Sequence, residues 1–273
     1  MHDLSETTVR RSGPRRGSRF GFSVVELIVV VSIIATLLGL LLPVLSGVRS
    51  AGRGALCQSN LRQMSIAAEA YATKYRAYPA ALRYDNSGGV FKQVAWDWVK
   101  TINGDIISPG PLWQFTGNPD RVMQCPEYLG SNASSGDPFT GFNYSTYIGG
   151  EEPFNTSPSW SKVRDGASPF QIRRPGQTAM FGLGGYKGGT NKYMRSPLHQ
   201  QHSEILLQLS AIYAGGQAFR YRGSTFVAYA DGRVGSSEQP REGELATDAL
   251  LEQYLDFPRN GFLTDDAFAY KPF

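Results

Sequence analysis

The chain is poor in the residue types that carry most chemistry. Its 273 residues include two cysteines and three histidines. Two cysteines cannot build a multi-bridge scaffold or a four-thiolate metal centre. His199 and His202 stand close together, with Glu204 beside them. Their spacing puts both rings on one face only if the segment is helical. Pro197 just before them fits a loop equally well, so they read as solvated surface residues. There is no Gly-x-Ser-x-Gly elbow. The glycines Gly182, Gly184, Gly185, Gly188 and Gly189 miss the dinucleotide-binding pattern, because Lys187 stands in the third glycine's place. They read as a strand-to-loop connection. No catalytic constellation emerges, and turnover is not expected. An excess of one charge is lacking too. Of 27 basic residues, Arg10, Arg11, Arg15, Arg16 and Arg19 lie in the first 21 positions, with Asp3 and Glu6. The remainder holds 22 basic and 21 acidic residues, so no nucleic-acid footprint is present.

One long apolar run is what the chain does have. From Phe22 to Leu45 the only ionised residue is Glu26. At about 1.5 Å per residue, such a run crosses a hydrocarbon core of about 30 Å as a helix. The arginines before it place the N-terminus on the cytoplasmic side and send the C-terminal part of the chain across the membrane. A secretory signal carries its small-residue cut site after the apolar core. Here the small residue, Gly21, comes before it. A cut there would remove the basic leader and leave the apolar helix at the new N-terminus.

Gly21 at the cut, Phe22 as the new first residue, Glu26 four residues further on and Pro43 within the run together resemble the type IV prepilin family, which includes the type II secretion pseudopilins. The resemblance implies a single-pass protein of the bacterial inner membrane with a periplasmic head. A prepilin peptidase would cut after Gly21 and methylate the amine of Phe22. Glu26 would pair with the N-terminal amine of a neighbouring subunit. The implied partners are that peptidase, other pilin or pseudopilin subunits in a homo-oligomeric filament, an inner-membrane assembly platform and membrane lipid. Cys57-Gln58-Ser59-Asn60-Leu61-Arg62-Gln63, Gln124-Cys125-Pro126, Gly141-Phe142-Asn143-Tyr144 and Phe226–Val234 resemble large-headed bacterial members of the family. Those members often carry a histidine, nine residues, then Asp-Gly. Counting back from Asp231, Tyr221 holds the histidine position, so the motif is incomplete.

The expected organisation is a cleaved leader over 1–21, a spanning helix over 22–45, its amphipathic continuation over 46–78 and a head over 79–273. Pro43, Gly47, Gly52 and Gly54 mark a weak point at which a helix could unwind. Cys57, Leu61, Met64, Ala68, Tyr71, Tyr75 and Tyr78 recur at spacings of three and four, one face of a helix laid against the head. Tyr78-Pro79 should end it. Strands are expected at Val90–Val94, Val122–Cys125, Tyr144–Ile148, Thr178–Leu183, Thr225–Ala230 and Arg233–Gly235. Asp231-Gly232 should make a hairpin turn between the last two, and a late helix is expected over Glu242–Leu255. The fold class is α+β, a long helix packed on a mostly antiparallel, pilin-like head.

Cys57 and Cys125 would meet an oxidising compartment after export. They form either one disulfide or two separately buried thiols. Asp256, Asp265 and Asp266 are oxygen donors that calcium could use, but no loop pattern joins them. Trp96, Trp98, Trp113 and Trp160 leave open a monomeric, membrane-anchored binding module, for carbohydrate among other ligands, as the alternative to a filament subunit.

Overall fold

A computed structural model describes residues 21–87, 89–101, 103–117, 119–128, 141–150, 166–197, 215–244 and 246–272. His199, His202, Glu204 and Trp160 lie outside these residues. The chain divides into two units, Met1–Val48 and Arg49–Phe273.

Helix α1, Val24–Tyr75, is the longest element at 52 residues. Its first part belongs to the N-terminal unit. Valine, leucine and isoleucine crowd that part without regard to face, and they stay exposed: Val24 by 73 %, Leu40 by 69 %, Leu42 by 64 %. Ser32 and Thr36 donate their hydroxyls to Val29 O and Ser32 O, both at 2.8 Å. These polar groups are therefore satisfied within the helix, as a hydrocarbon medium requires. Pro43 sits inside α1 and the helix runs through it, as it does through Gly47, Gly52 and Gly54. The expected weak point is uninterrupted helix. Among the described residues, α1 is the one helix long and apolar enough to cross a membrane.

The second part of α1 belongs to the larger unit, and there the predicted stripe is the buried face. Cys57, Leu61, Met64 and Ala68 are fully buried, and Asn60, Ser65, Ala67 and Ala72 widen the face. The helix stops at Tyr75, three residues before the expected end, because Arg76 turns left-handed at φ 63°. Tyr78, expected on the helix, lies beyond it. It is buried all the same and donates its hydroxyl to Glu69.

Among its described residues the head carries three sheets. Strands β1 (Leu82–Asp85), β2 (Lys92–Ala95), β3 (Trp98–Thr101) and β4 (Ile106–Pro109) form an antiparallel meander. The central sheet is built from β5 (Phe142–Ser145), β6 (Ala179–Leu183), β7 (Tyr193–Met194), β9 (Thr225–Tyr229) and β10 (Val234–Ser237), in the order β10-β9-β6-β5-β7. Among the described residues its one parallel pair is β5 with β7. A two-stranded piece pairs β8 (Gln217–Ala218) with β11 (Asn260–Gly261). The class is α+β with antiparallel-rich sheets.

The central sheet is covered on both faces, as the run Phe226–Ala230 suggests. Phe226 and Ala228 join a core with Cys57, Leu61, Met64, Trp96, Tyr144 and Phe181. Val227 points the other way, to Leu250, Leu255, Phe262 and Tyr270. The Tyr144 and Phe181 rings stack at 4.8 Å, and Trp96 meets Phe181 edge-on at 5.7 Å. That cluster fastens the meander to the central sheet.

Three expected elements differ. Val122–Cys125 is not a strand: Pro119–Val122 forms a short helix, α2, and Cys125 lies in the turn after it. The strand placed at Tyr144–Ile148 runs instead over Phe142–Ser145, and the chain then turns, with Gly149 N–H donating to Ser145 O at 2.9 Å. The late helix does not begin at Glu242, because residues 241–244 are held elsewhere. Arg241 bridges Phe262, and Glu244 N–H donates to Asp265 O at 2.7 Å. Only Leu250–Leu255 remains of it, wound as a π-helix behind a short α-helical start at 248–249.

Candidate processing and assembly site

Residues 21–23 have no regular structure, and α1 begins at Val24. Ser23 closes the helix start from both sides. Its hydroxyl accepts from Val25 N–H at 3.2 Å, and its own N–H donates to Glu26 Oε2 at 2.8 Å. Ser23 thus acts as N-cap through the N–H two residues on, while Glu26 reaches back to the N-cap N–H as in a capping box, and both satisfy helix-terminal donors that would otherwise face solvent or lipid. The position also suits a carboxylate, because the helix N-terminus carries partial positive charge. Glu26 thus has a partner inside its own chain. By its charge alone, Glu26 is an acid awaiting an outside partner. The Ser-x-x-Glu spacing from Ser23 is the signal that announces the cap instead.

The Gly21–Phe22 bond lies just outside the cap. Phe22 is 72 % exposed, and a side chain added at Gly21 would meet nothing within 4 Å. Nothing in the described chain therefore demands a glycine there. Pro43 sits well inside α1, away from this end.

The remaining candidates fall in the larger unit. Asp231 and Gly232 lie in the β9–β10 hairpin, as expected. The loop has three residues: Gly232 N–H donates to Tyr229 O at 2.9 Å and Tyr229 N–H to Arg233 O at 2.8 Å. Gly232 takes φ +79°, the left-handed residue that such a loop needs, and Asp231 Oδ1 accepts from Arg233 N–H at 2.9 Å. This is turn construction. Tyr221, at the position of the missing histidine, lies against α1: a Cβ on Gly54 would come within 2.5 Å of its ring.

The calcium candidates do not converge. Asp256 pairs with Arg259 at 3.6 Å and Asp265 with Arg241 at 3.9 Å, while Asp266 Oδ1 accepts from Phe268 N–H at 2.9 Å. Among the described residues no group of three His, Cys, Asp or Glu could hold a metal ion. Trp96 and Trp98 are buried, and Trp113 is half-buried against Trp98, with ring centroids 4.4 Å apart. Trp96 and Trp98 are core residues, and Trp113 packs edge-on against Trp98. The Cys57 and Cys125 sulfurs lie 3.6 Å apart in the core, both as free thiols.

No family model, no curated protein and no solved structure matches the chain.

Proposed function

We propose that the chain is a prepilin-like subunit of a type II secretion pseudopilus or a related type IV pilus-like filament. A prepilin peptidase removes residues 1–21 at the cytoplasmic face of the inner membrane and methylates Phe22. The mature subunit stays anchored by its N-terminal helix, with its head in the periplasm, and enters the filament through contacts along that helix and with the assembly platform. It has no turnover of its own.

The observation that carries this reading is the start of α1. An apolar helix exposed on every face begins with a capped carboxylate, and the peptide bond before the cap stands free of helix. A lone helix of this kind can be covered by lipid. In a filament it is covered by copies of itself, and the Phe22 amine made by cleavage would then reach the Glu26 of a neighbour. The absence of a packing demand for glycine at 21 is consistent with a requirement set by the peptidase. Trp96 and Trp98, being buried, give no separate support to a sugar-binding module.

A photo-crosslinking residue at Val25, in cells, tests the packing. The expected products are dimers and higher adducts of processed chain, joined between residues 22–30 of two copies. Adducts to lipid alone, at native expression, would contradict assembly.

A further inference from the structure

The two cysteines are the only ones in the chain and come from separate elements, Cys57 from α1 and Cys125 from the turn after α2. Both are fully buried, and their sulfurs touch at 3.6 Å. Isolated thiols often serve as small apolar filling, but filling does not require two sulfurs to face each other. Two further features mark the spot. Gly141 presses on Cys125 so closely that a Cβ there would lie 2.3 Å from Cys125 Cβ and 3.4 Å from its sulfur. A larger residue at 141 would take the room the sulfurs need. Arg220, half-buried, stacks its guanidinium over Tyr128 at 4.1 Å. Its Nη1 makes no hydrogen bond among the described residues.

The geometry points to a disulfide between Cys57 and Cys125, closed by a dithiol–disulfide oxidant as the exported head folds, which staples α1 to the turn after α2. This staple rests on the proposed function in one respect, the periplasmic location of the head. A covalent S–S bond is about 2.05 Å long, so the sulfurs must approach by about 1.5 Å.

The two sulfurs share one hydrogen bond, in which either thiol can be the donor. Closure takes place while both are still open to the oxidant. The thiol that loses its proton first attacks as the thiolate. It breaks the oxidant's disulfide, forms a mixed disulfide and releases one oxidant thiolate. The other thiol then gives up its proton and attacks the first sulfur, expelling the second thiolate. One S–S bond forms in the head, and two electrons and two protons leave with the oxidant, now a dithiol. The finished bridge is buried, so reductant reaches it when the head opens. It spans 68 positions of sequence, a long loop to close in the unfolded chain.

The test uses the full chain, extracted from membranes in detergent and denatured in a thiol-alkylating maleimide with or without prior reduction. Intact mass should show no label before reduction and two labels after it. Reduction should lower Tm by roughly 10 °C, from the loop length and the size of the head. A Cys57→Ala/Cys125→Ala double variant should melt identically with and without reductant. Two labels without reduction would overturn the staple. The same chain, reduced, unfolded and refolded with oxidised glutathione, locates such a failure. Closure there, with free thiols in the cell-derived protein, overturns the bridge in cells and counts against export. No closure in either preparation overturns the geometry and leaves the export reading untouched.

Discussion

Glu26→Gln should be processed at close to the wild-type rate yet assemble poorly. The glutamine keeps an oxygen that can accept from Ser23 N–H, so the helix still starts at Val24. What disappears is the negative charge. In the proposed filament, the Phe22 ammonium of the next copy would then sit in an apolar setting without its counter-ion. Insertion scales put an isolated charge at mid-membrane at about 2.5–3.5 kcal/mol. A loss of about 2–3 kcal/mol per subunit contact corresponds to roughly 30- to 150-fold weaker association. Glu26→Ala should do worse, because it also removes the cap, at a further cost of about 0.5–2 kcal/mol. The readouts are the fraction of chain lacking its leader and the yield of crosslinked multimers through residue 25. If Glu26→Gln assembles like wild type while Glu26→Ala does not, capping is all the carboxylate does and the pairing with an amine is wrong.

Asp97→Ala should strongly destabilise the head. Asp97 Oδ1 lies 2.8 Å from Lys192 Nζ, and both side chains are more than nine-tenths buried. The same carboxylate oxygen accepts from Trp98 N–H at 2.9 Å. Lys192 is held from its backbone as well, since its carbonyl accepts from Trp96 Nε1 and from Tyr144 N–H, both at 3.1 Å. The pair thus joins the β2–β3 turn of the meander to the chain entering β7 of the central sheet. Truncating Asp97 leaves a buried ammonium without its carboxylate, which costs about 3–5 kcal/mol. For a head of this size the melting point should fall by about 10 °C. Breaking a buried pair costs more than replacing it, so Asp97→Leu with Lys192→Met should recover much of the loss. Thermal melts of the wild type and the two variants, followed by circular dichroism, check this. A loss below about 1 kcal/mol for Asp97→Ala would mean that water reaches the pair and that it is no clamp.

The parts of the fold legible in the sequence are those whose signal is local and repeated. The run from Phe22 to Leu45 announces a helix by length and apolar content, and the stripe Cys57–Leu61–Met64–Ala68 announces its buried face by period. Asp231-Gly232 announces a hairpin because Gly232 supplies the left-handed residue that the loop demands. The strands without a local signal are held by distant partners. β7 and β8 have two residues each and pair with β5 and β11, far away in the sequence. The aromatic cluster of Trp96, Tyr144 and Phe181 and the Asp97–Lys192 pair, which hold the meander to the central sheet beside β7, are not local in sequence either. Val122–Cys125 resembles a strand by its apolar residues. The helix at Pro119–Val122 starts with a proline, whose fixed φ suits a first helical turn. The leucines of Glu242–Leu255 keep helical spacing, but Arg241 and Glu244 are drawn into backbone bonds with 262–265, and tertiary pairing wins over propensity there.

At the candidate site, Gly21, Phe22 and Glu26 are legible as a motif. The intrachain role of Glu26 is legible only through the Ser23 spacing, which its charge overshadows. The contact between Cys57 and Cys125 cannot be read from sequence at all, since two cysteines far apart in the chain carry no register.

The central claim is that the chain matures by losing its basic leader ahead of the apolar helix. The direct measurement is N-terminal sequencing with intact mass on protein extracted from the membrane fraction of its own host. The expected chain begins at Phe22, with the mass of a methyl group on its amine. A membrane-bound chain that still begins at Met1, or a chain cut after the apolar run, would contradict the account.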